Sequence, residues 1–384
     1  MAKLGEVCTI VSGSTPKTSV TSYWDGNIKW ITPAELNEDT FYIMDSVRHI
    51  TEEGKEKTGL SYLPTGTVIL SSRAPIGKTA IAGCKMCCNQ GFKNLICSDA
   101  IYNEYLYFFL KSKTDYLNSL GRGATFKEIS KSIVESIEIP LPEVKQQKEI
   151  AEKFKKLEQL ISLRKQQLAK LDELVKARFV EMFGDDIYPK VKVSRVCDFI
   201  TKGTTPPNNL ISEKYSSDKV PYLKVYNLSF TGKLLFDTAP QYVPENIHNG
   251  VLARSKVYPN DVLMNIVGPP LGKFALVTDE FSEWNINQAI AIFRAKEKVN
   301  PKYLLFALMQ PEVLKPFLRQ AVGIRQLNLS LAQCRDLEIP LPPLSFQNQF
   351  ATFVERVDQQ KQTVQQSLEK LELMKKALMQ EYFG

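Results

Sequence analysis

Two polar stretches of the chain, 143–184 and 343–384, carry apolar residues at alternating steps of four and three positions. Such steps give a repeat of about 3.5 residues, which is typical of a helix that pairs with another helix. Neither glycine nor proline occurs between residues 144 and 183 or between 344 and 383. The pattern predicts two long helices whose pairing seam consists of Ile150, Phe154, Leu157, Ile161, Leu168, Leu171, Val175, Met182, Phe350, Val354, Val357, Val364, Leu368, Leu371, Leu378 and Tyr382.

The seam allows two interpretations. A helix of about 40 residues is roughly 60 Å long, which favours a coiled coil over an amphipathic helix lying on its own domain. Because a folded region separates the two helices along the chain, antiparallel pairing avoids crowding both regions at one end of a shared rod. We therefore expect an antiparallel coiled coil, in which cations at four seam slots fix the register or cover its rim: Arg164, Arg178, Lys361 and Lys375.

The region before each long helix has a mixed pattern. Short β-type runs at 67–71 and 262–266 are flanked by glycine and proline, and aromatic helical segments follow at 104–110 and 302–308. Prolines then precede each long helix, since proline is tolerated in the first turn of a helix but not in its interior. The order predicts an α+β fold.

This order occurs twice because the chain is a tandem duplication. The segment from IEIPLP (137–142) to Phe183-Gly184 matches LEIPLP (337–342) to Phe383-Gly384 without a gap, at a shift of 200 residues. KLGEVCTIVSGSTP at 3–16 also matches KVSRVCDFITKGTTP at 192–206, and Asn-Gln occurs at 89–90 and at 287–288. Internal repeats determine architecture, so we predict four segments with the boundaries 1–142, 143–184, 185–342 and 343–384.

Composition indicates an ordinary globular protein. The chain has 384 residues, 43% of them hydrophobic and 24% charged, so more than one domain is expected. Its first residues lack the pattern of a signal peptide, and no apolar run is long enough for a membrane span. Seven cysteines, an odd number, favour a reducing compartment, so we expect a cytoplasmic protein.

The net charge of +7 is unevenly distributed. Residues 1–142 hold 15 basic and 15 acidic side chains, whereas 185–342 hold 19 and 15. A modest basic excess of this kind is compatible with nucleic-acid binding without requiring it.

Catalytic patterns are missing from the sequence. The only two histidines, His49 and His248, do not occupy matching positions in the two repeats, which leaves a Ser-His-Asp or Cys-His site unsupported. Cys84, Cys87, Cys88 and Cys97 have spacings that a zinc site could use, but the second repeat lacks cysteines there. Buried thiols are the better interpretation, and we expect neither a catalytic residue nor a metal.

The doubled order of motifs resembles the specificity subunit of type I restriction–modification systems over the entire chain. The motifs that carry this resemblance are the Ser-Gly-x-Thr-Pro-like openings, the Gly-Lys turns at 77–78 and 272–273, the Asn-Gln pairs, and the Pro-Leu-Pro entries to the long helices. The resemblance implies two tandem α/β target-recognition domains, each followed by a long spacer helix. It also implies a non-catalytic subunit that reads a bipartite DNA target, one half-site per domain.

The same resemblance implies partners and their cofactors. These are double-stranded DNA, two methyltransferase (modification) subunits and two translocating restriction subunits. S-adenosylmethionine, ATP and magnesium would be used by those partner subunits, with no cofactor bound by this chain. Because the interiors 17–62 and 207–256 share little sequence, we expect an asymmetric target.

Candidate DNA-binding residues lie in the repeated turns and before the Pro-Leu-Pro segments. A cation beside glycine suits a phosphate contact, and asparagine or glutamine suits an adenine edge, although a turn amide satisfied within the protein and a solvated loop are equally good interpretations. The candidates are Arg73, Lys78, Asn89, Gln90, Arg122, Lys127, Lys273, Asn287, Gln288, Arg325 and Gln326.

Two other functions fit parts of the pattern. A coiled-coil adaptor would bridge proteins without touching DNA. An enzyme that cuts or modifies DNA is disfavoured by the missing catalytic residues.

Overall fold

The computed structural model describes residues 1–37, 39–73, 75–122, 127–184, 187–323 and 327–384. The chain forms two compact units. The first unit contains Met1–Gln167 together with Val364–Gly384, and the second contains Leu168–Thr363. Each unit therefore combines one globular region with portions of both long helices.

The first globular region contains mainly short strands. These are β1 (Ala2–Lys3), β2 (Cys8–Ser12), β3 (Trp24–Ile31), β4 (Tyr42–Ile43), β5 (Arg48–Ile50), β6 (Val68–Ser71), β7 (Thr79–Ala82), β8 (Cys87–Cys88), β9 (Phe92–Cys97) and β10 (Glu138–Ile139). Its helices are α1 (Leu4–Val7), α2 (Glu52–Thr58), α3 (Asn103–Ser112), α4 (Thr114–Leu120) and α5 (Lys131–Ser136), with 3₁₀ turns at Thr21–Tyr23 and Pro33–Glu35. The first long helix is α6 (Val144–Phe183).

The second globular region repeats this order. Its strands are β11 (Lys190–Lys192), β12 (Cys197–Lys202), β13 (Lys219–Leu223), β14 (Tyr242–Pro244), β15 (Lys256–Val257), β16 (Val262–Asn265), β17 (Phe274–Leu276), β18 (Trp284–Ile286), β19 (Ile290–Ala295) and β20 (Glu338–Pro340). Its helices are α7 (Val193–Val196), α8 (Glu245–Asn249), α9 (Pro301–Leu308), α10 (Pro311–Leu318) and α11 (Leu331–Asp336), with 3₁₀ turns at Asn208–Leu210, Val225–Asn227 and Ala253–Ser255. The second long helix is α12 (Leu344–Phe383).

The sheets of the two units share a common plan. In the first unit a sheet has the order β2-β9-β6-β7-β4, and in the second unit the order is β12-β19-β16-β17. A smaller sheet has the order β5-β3-β8 in the first unit and β14-β13-β18-β15 in the second, with the parallel pairs β3/β8 and β13/β18 at matching places. The α+β class and the tandem repeat predicted from the sequence are confirmed.

The central strands are buried on both faces. All four residues of β6 and all four of β16 are buried, because an aromatic helix covers one side of each sheet. In α3 the run from Tyr105 to Leu110 is fully buried, so this helix lies inside the core of its unit. The strands predicted at 67–71 and 262–266, and the helices predicted at 104–110 and 302–308, are confirmed within two residues at each end.

The repeated Pro-Leu-Pro segment anchors each globular region to its long helix. β10 pairs with β1, and β20 pairs with β11. The hydroxyl of the buried Tyr105 donates a hydrogen bond to the carbonyl oxygen of Pro140 at 2.9 Å, and Tyr303 donates to Pro340 at 2.6 Å. A buried tyrosine hydroxyl needs such a partner, so the proline carbonyl satisfies it in both units.

A buried glutamine fixes the start of each long helix. Gln147 accepts from the backbone N–H of Tyr102 at 2.8 Å and donates to the carbonyl of Pro142 at 2.8 Å. Gln347, 200 positions later, accepts from Asn300 N–H at 2.9 Å and donates to Pro342 at 2.8 Å. Because a buried amide left unpaired is costly, these contacts hold the first helical turn in one orientation.

In the first unit, residues 144–167 of α6 contact residues 364–384 of α12 in antiparallel order. Lys153 bonds to the hydroxyl of Tyr382 at 3.0 Å, Glu158 pairs with Lys375 at 2.6 Å, and Arg164 donates to Ser367 at 3.2 Å. As the residue number rises along α6, the number of its contact residue in α12 falls, so these two segments run antiparallel.

Antiparallel contacts also occur in the second unit. Asp172 pairs with Lys361 at 2.6 Å, and the rings of Phe179 and Phe350 lie 5.3 Å apart, centroid to centroid. The guanidinium of Arg178 lies 5.9 Å from the ring centroid of Phe353. The four predicted cationic slots are half-buried and lie where their side chains reach the facing helix.

The predicted seam positions fall on the buried side of both helices. Buried members are Ile150, Phe154, Leu157, Ile161, Val175, Phe350, Val354, Val357, Val364 and Leu368. Half-buried members are Leu168, Leu171, Met182, Leu371, Leu378 and Tyr382. The 3.5-residue frame omits three buried aromatic residues near the helix ends, namely Phe179, Phe183 and Phe383.

Those aromatic residues join the helix ends to the globular cores. In the first unit Phe383 packs with Tyr105, Phe109 and Phe154, and Phe154 also stacks on Phe108 at 5.1 Å. At Phe154, α6 therefore contacts both α12 and the globular region that precedes it. The two interpretations of the seam are therefore combined within each unit.

Candidate nucleic-acid interface

In the first unit, several loops meet at one end of the large sheet, where β2 and β6 end and β9 begins. Ser14 N–H donates to the carbonyl of Cys88 at 3.1 Å, Ser72 N–H donates to Gly91 at 2.7 Å, and Ile129 N–H donates to Ser72 at 3.0 Å. We call this surface the first loop cluster, which comprises the described residues of 13–17, 32–36, 72–78, 89–91, 121–122 and 127–129. The structure brings six sequence candidates together here: Arg73, Lys78, Asn89, Gln90, Arg122 and Lys127.

The second unit has an equivalent surface. Ile266 N–H donates to Ala289 at 2.8 Å, Leu329 N–H donates to Ile266 at 2.9 Å, and Gly268 N–H donates to Leu327 at 2.9 Å. We call it the second loop cluster, which comprises the described residues of 203–207, 224–227, 266–273, 287–289, 321–323 and 327–329. It contains the candidates Lys273, Asn287 and Gln288, whereas Arg325 and Gln326 lie outside the described residues.

Close packing explains why the opening motif and the Asn-Gln pair are repeated. A Cβ atom on Gly13 would lie 1.9 Å from the carbonyl oxygen of Asn89, and one on Gly203 would lie 2.2 Å from that of Asn287. Only glycine allows such an approach. The Thr15 hydroxyl also donates to the side chain of Gln90. The opening motif thus holds the Asn-Gln turn in place in both units.

The two asparagines form turns with their own neighbours. The side-chain oxygen of Asn89 accepts from Gly91 N–H at 2.9 Å, and that of Asn287 accepts from Ala289 N–H at 3.2 Å. Each asparagine therefore has its acceptor occupied, which matches the turn interpretation. The following glutamines, Gln90 and Gln288, are exposed and are the members of each pair that face solvent.

The Gly-Lys turns have the same backbone closure but different lysine environments. Ser71 and Asn265, which end β6 and β16, accept from the N–H groups of Lys78 at 2.8 Å and Lys273 at 2.7 Å. Their side chains also donate to the turn, to Pro75 at 2.7 Å and Pro270 at 2.8 Å. A polar residue at the end of the strand thus closes the turn in both units.

The ammonium groups differ. Lys78 Nζ donates to the carbonyls of Pro33 at 3.1 Å and Leu36 at 2.6 Å, so it fixes a neighbouring loop of the first cluster. Lys273 Nζ lies 5.8 Å from the exposed ring of Phe230, and no carboxylate in the described part of the chain pairs with it. Lys273 is therefore the more available cation.

Positive charge exceeds negative charge on the first loop cluster. Lys93, which is 7% exposed, is neutralised by Glu128 at 3.1 Å. Arg73, Arg122 and Lys127 form no ion pair with any described carboxylate, and the last two are exposed. Unpaired cations on an exposed loop surface suit contact with phosphates.

Aromatic side chains that the sequence patterns did not single out bind the loop that follows β2 and the loop that follows β12. Trp30 Nε1 donates to the carbonyl of Ser14 at 3.0 Å, and in the second unit the Tyr222 hydroxyl donates to Thr204 at 3.0 Å. Trp24 Nε1 donates to the carbonyl of Lys17 at 3.3 Å, and Arg48 lies over its ring. Two of the three tryptophans of the chain lie within seven residues of each other, which is the signal that could have identified this region.

Of the four clustered cysteines, Cys87 and Cys88 are buried as expected, whereas Cys84 and Cys97 are only half-buried. Burial raises the pKa of Cys88 to about 12 and that of Cys87 to about 11, so both thiols stay protonated at neutral pH. No group of three or more metal-ligating side chains is found in the described residues. Among those residues, no helix is long and apolar enough to cross a membrane.

The second unit contains a buried histidine network that the sequence did not indicate. His248 is fully buried; its Nε2 lies 2.9 Å from a Glu283 oxygen and its Nδ1 lies 3.1 Å from Asn285 Nδ2. Burial lowers the pKa of His248 below its ordinary value. Because the imidazole is enclosed, this network stabilises the fold and does not present a catalytic group.

The sequence of this chain matches a known protein family. The profile of the family described as "Type I restriction modification DNA specificity domain" matches residues 1–173 and 188–373. The type I restriction enzyme MjaIX specificity subunit of Methanocaldococcus jannaschii is 34% identical over 248 residues, which cover 59% of this chain and 57% of that protein. The MjaVIII specificity subunit of the same organism is 25% identical over 308 residues, covering 75% of this chain and 70% of that protein.

Solved structures agree in fold. The type I restriction–modification S subunit from M. genitalium superposes with a TM-score of 0.56 at 15% identity, covering 100% of this chain and 95% of that one. A chain from a structure of type I R-M complex assembly superposes with a TM-score of 0.66 at 18% identity, covering 100% and 96%. The doubled family profile and the duplicated fold together show that this chain belongs to the type I restriction–modification DNA specificity family.

Proposed function

We propose that this protein is the specificity subunit of a type I restriction–modification complex and reads a bipartite, asymmetric DNA sequence. Each unit would read one half-site through its loop cluster. The observation that carries this proposal is the construction of the same loop cluster twice on a matching scaffold, with different side chains exposed. Gly13 and Gly203 hold equivalent turns, while Lys78 and Lys273 have different environments.

The repeated scaffold also supports a division of labour along the chain. We propose that the functional segments are the target-recognition domains 1–142 and 185–342 and the spacer helices 143–184 and 343–384. The antiparallel contacts within each unit support pairing of α6 with α12 as an antiparallel coiled coil. Such a rod would hold two half-sites at a fixed separation, of the order of one turn of DNA (~34–36 Å).

The chemistry of the complex would belong to its partners. Two methyltransferase subunits would use S-adenosylmethionine, and two restriction subunits would use ATP and magnesium. The similarity of the two units supports two copies of each partner, because a repeated surface presents a similar face twice. This chain would supply DNA recognition and the scaffold.

The experiment combines the purified chain with its methyltransferase subunit and a pool of random duplex DNA. Selection of bound duplexes should return one bipartite sequence with unequal halves, and affinity should fall steeply with salt. A perfectly palindromic target would contradict the asymmetric assignment. Capture of the methyltransferase without recovery of any preferred DNA sequence would instead support the adaptor function.

A further inference from the structure

We propose that Arg48 is a specificity-determining residue of the first unit and recognises a guanine in the half-site read there. The inference rests on the proposed DNA-reading function. It assigns one side chain of the first unit to one base of the half-site. Arg48 begins β5, in the interior 17–62 that differs most between the two units.

The guanidinium of Arg48 is held against a tryptophan pair. Its Cζ lies 3.6 Å from the ring centroid of Trp24 and 5.7 Å from that of Trp30. The two rings meet edge to face at 5.2 Å and are 8% and 2% exposed, so they form a rigid support. Arg48 itself is exposed. A guanidinium on an aromatic face is pre-organised and loses less freedom when it forms hydrogen bonds.

Arg48 also keeps its donors available. In the described residues its guanidinium has no carboxylate partner; the nearby Asp45 lies 3.6 Å from both Lys29 and His49. An arginine has five N–H donors in a fixed fork. An exposed, supported and unpaired fork is therefore a binding group without a ligand inside the protein.

A second arginine of the chain shows the contrast. Arg294 also lies over aromatic rings, 5.1 Å from Phe199 and 4.6 Å from Tyr258. Its Nε and Nη2, however, donate to the buried Asp261 at 2.8 Å and 2.7 Å. Arg294 is thus a packing residue with satisfied donors, whereas Arg48 has the same support and no acceptor.

The tryptophans place Arg48 at the border of the first loop cluster. Trp24 and Trp30 donate to the carbonyls of Lys17 and Ser14, on either side of Thr15, which binds Gln90. Arg48 therefore adjoins the surface that would face DNA. It also lies in the region where the sequences of the two units diverge. This position is expected for a residue that gives each unit its own DNA target.

Guanine is the base that fits this group. Its major-groove edge offers two acceptors, O6 and N7, which a guanidinium fork can engage together. A phosphate contact would need only the charge and would not depend on the base. Replacing the fork while keeping the charge therefore separates the two roles.

The test co-expresses the full chain with its methyltransferase subunit in a host that lacks DNA methylation of its own, and maps methylated sites genome-wide. The variants are Arg48→Ala, Arg48→Lys and Lys85→Ala. Lys85 is the matched control, because it is an exposed cation of the same unit whose Nζ lies 3.7 Å from the ring centroid of Tyr62. Melting curves of each purified variant verify folding.

Wild type should give one bipartite motif. Arg48→Ala should relax one guanine position of the first half-site, with about 5- to 150-fold less discrimination, as expected for loss of one bidentate base contact. Arg48→Lys should relax the same guanine position. In both Arg48 variants the second half-site should not change, and Lys85→Ala should keep the whole motif.

Two results would overturn the assignment. One is an unchanged motif in a folded Arg48→Ala or Arg48→Lys protein. The other is weaker methylation of all sites alike, as for a phosphate contact. If wild type itself yields no bipartite motif, the proposed function fails, and that result is distinct from either of these.

Discussion

Replacing Phe383 with alanine tests how strongly the end of α12 stabilises the first unit. The ring is 2% exposed, and its centroid lies 5.3 Å from Tyr105, 5.8 Å from Phe109 and 5.7 Å from Phe154. Loss of a buried phenylalanine ring costs about 3–5 kcal/mol, because transfer energy is lost and a cavity remains. For a unit of this size, each kcal/mol corresponds to about 2–4 °C, so the melting temperature should fall by about 6–20 °C.

The assay measures both stability and location. Urea unfolding gives the free energy of unfolding, and hydrogen exchange read by mass spectrometry shows which strands lose protection. Phe383→Ala should raise exchange in β6 and β9, whereas Phe183→Ala, at the corresponding position of α6, should raise it in β16 and β19. Leu373→Ala, on an exposed position of α12 (67% exposed), is the control and should change stability by no more than about 0.5 kcal/mol.

Unfolding of Phe383→Ala like that of Leu373→Ala would exclude a stabilising role for Phe383. Exchange changes of Phe383→Ala and Phe183→Ala in the same strands would exclude their assignment to separate cores. Either result would mean that the helix ends do not complete the cores to which the structure assigns them.

Four substitutions and one truncation test the loop clusters, the helix seam and the buried histidine. Lys273→Ala should weaken binding to all DNA sequences alike and reduce the salt slope by about one, whereas Lys78→Ala should lower the melting temperature because two carbonyl contacts are lost; equal melting of both variants would contradict this difference. Leu368→Glu should place an unpaired carboxylate between the helices and cost several kcal/mol, which urea unfolding measures; a wild-type midpoint would exclude a buried seam. Because burial lowers the pKa of His248, its contribution to stability is complete above the ordinary pKa of about 6.5 and is lost as pH falls toward the lower pKa of the folded state. The free energies of unfolding at pH 7.5 and pH 5.5 should therefore differ less in His248→Gln than in wild type. An equal difference in both proteins would exclude His248 as the cause of the pH dependence. The half-chain 1–184 should dimerise and, with methyltransferase, select a palindrome; a stable monomer at micromolar concentration in sedimentation would contradict the shared seam.

Periodicity and repetition in the sequence were sufficient to predict the long helices, the strands before them and the doubled architecture. They did not predict the burial of Phe179, Phe183 and Phe383. A 3.5-residue frame describes one stripe on a helix, whereas each helix end also packs on a globular core and needs a wider apolar face. That second contact depends on residues such as Tyr105, which lies far away in the chain.

Only part of the candidate interface could be predicted from the sequence, again because some of its contacts join residues that lie far apart in the chain. Repeated motifs identified the turns, since backbone closure by Ser71 and Asn265 depends on neighbouring residues. The side-chain environments did not follow: Lys78 binds carbonyls of residues 33 and 36, and Arg48 lies on a ring 24 positions earlier. Contacts between distant residues leave no local pattern in a single sequence.

The division of the two units along the chain has a consequence for synthesis on the ribosome. Residues 364–384, which complete the first unit, are made roughly 200 residues after Gln167, a delay of about 10–40 s at about 5–20 residues per second. During that interval the aromatic cluster around Phe154 lacks Phe383 and exposes apolar surface. A neighbouring nascent chain could fill the gap with its own Phe183, so polysome density should influence how much protein reaches the native fold.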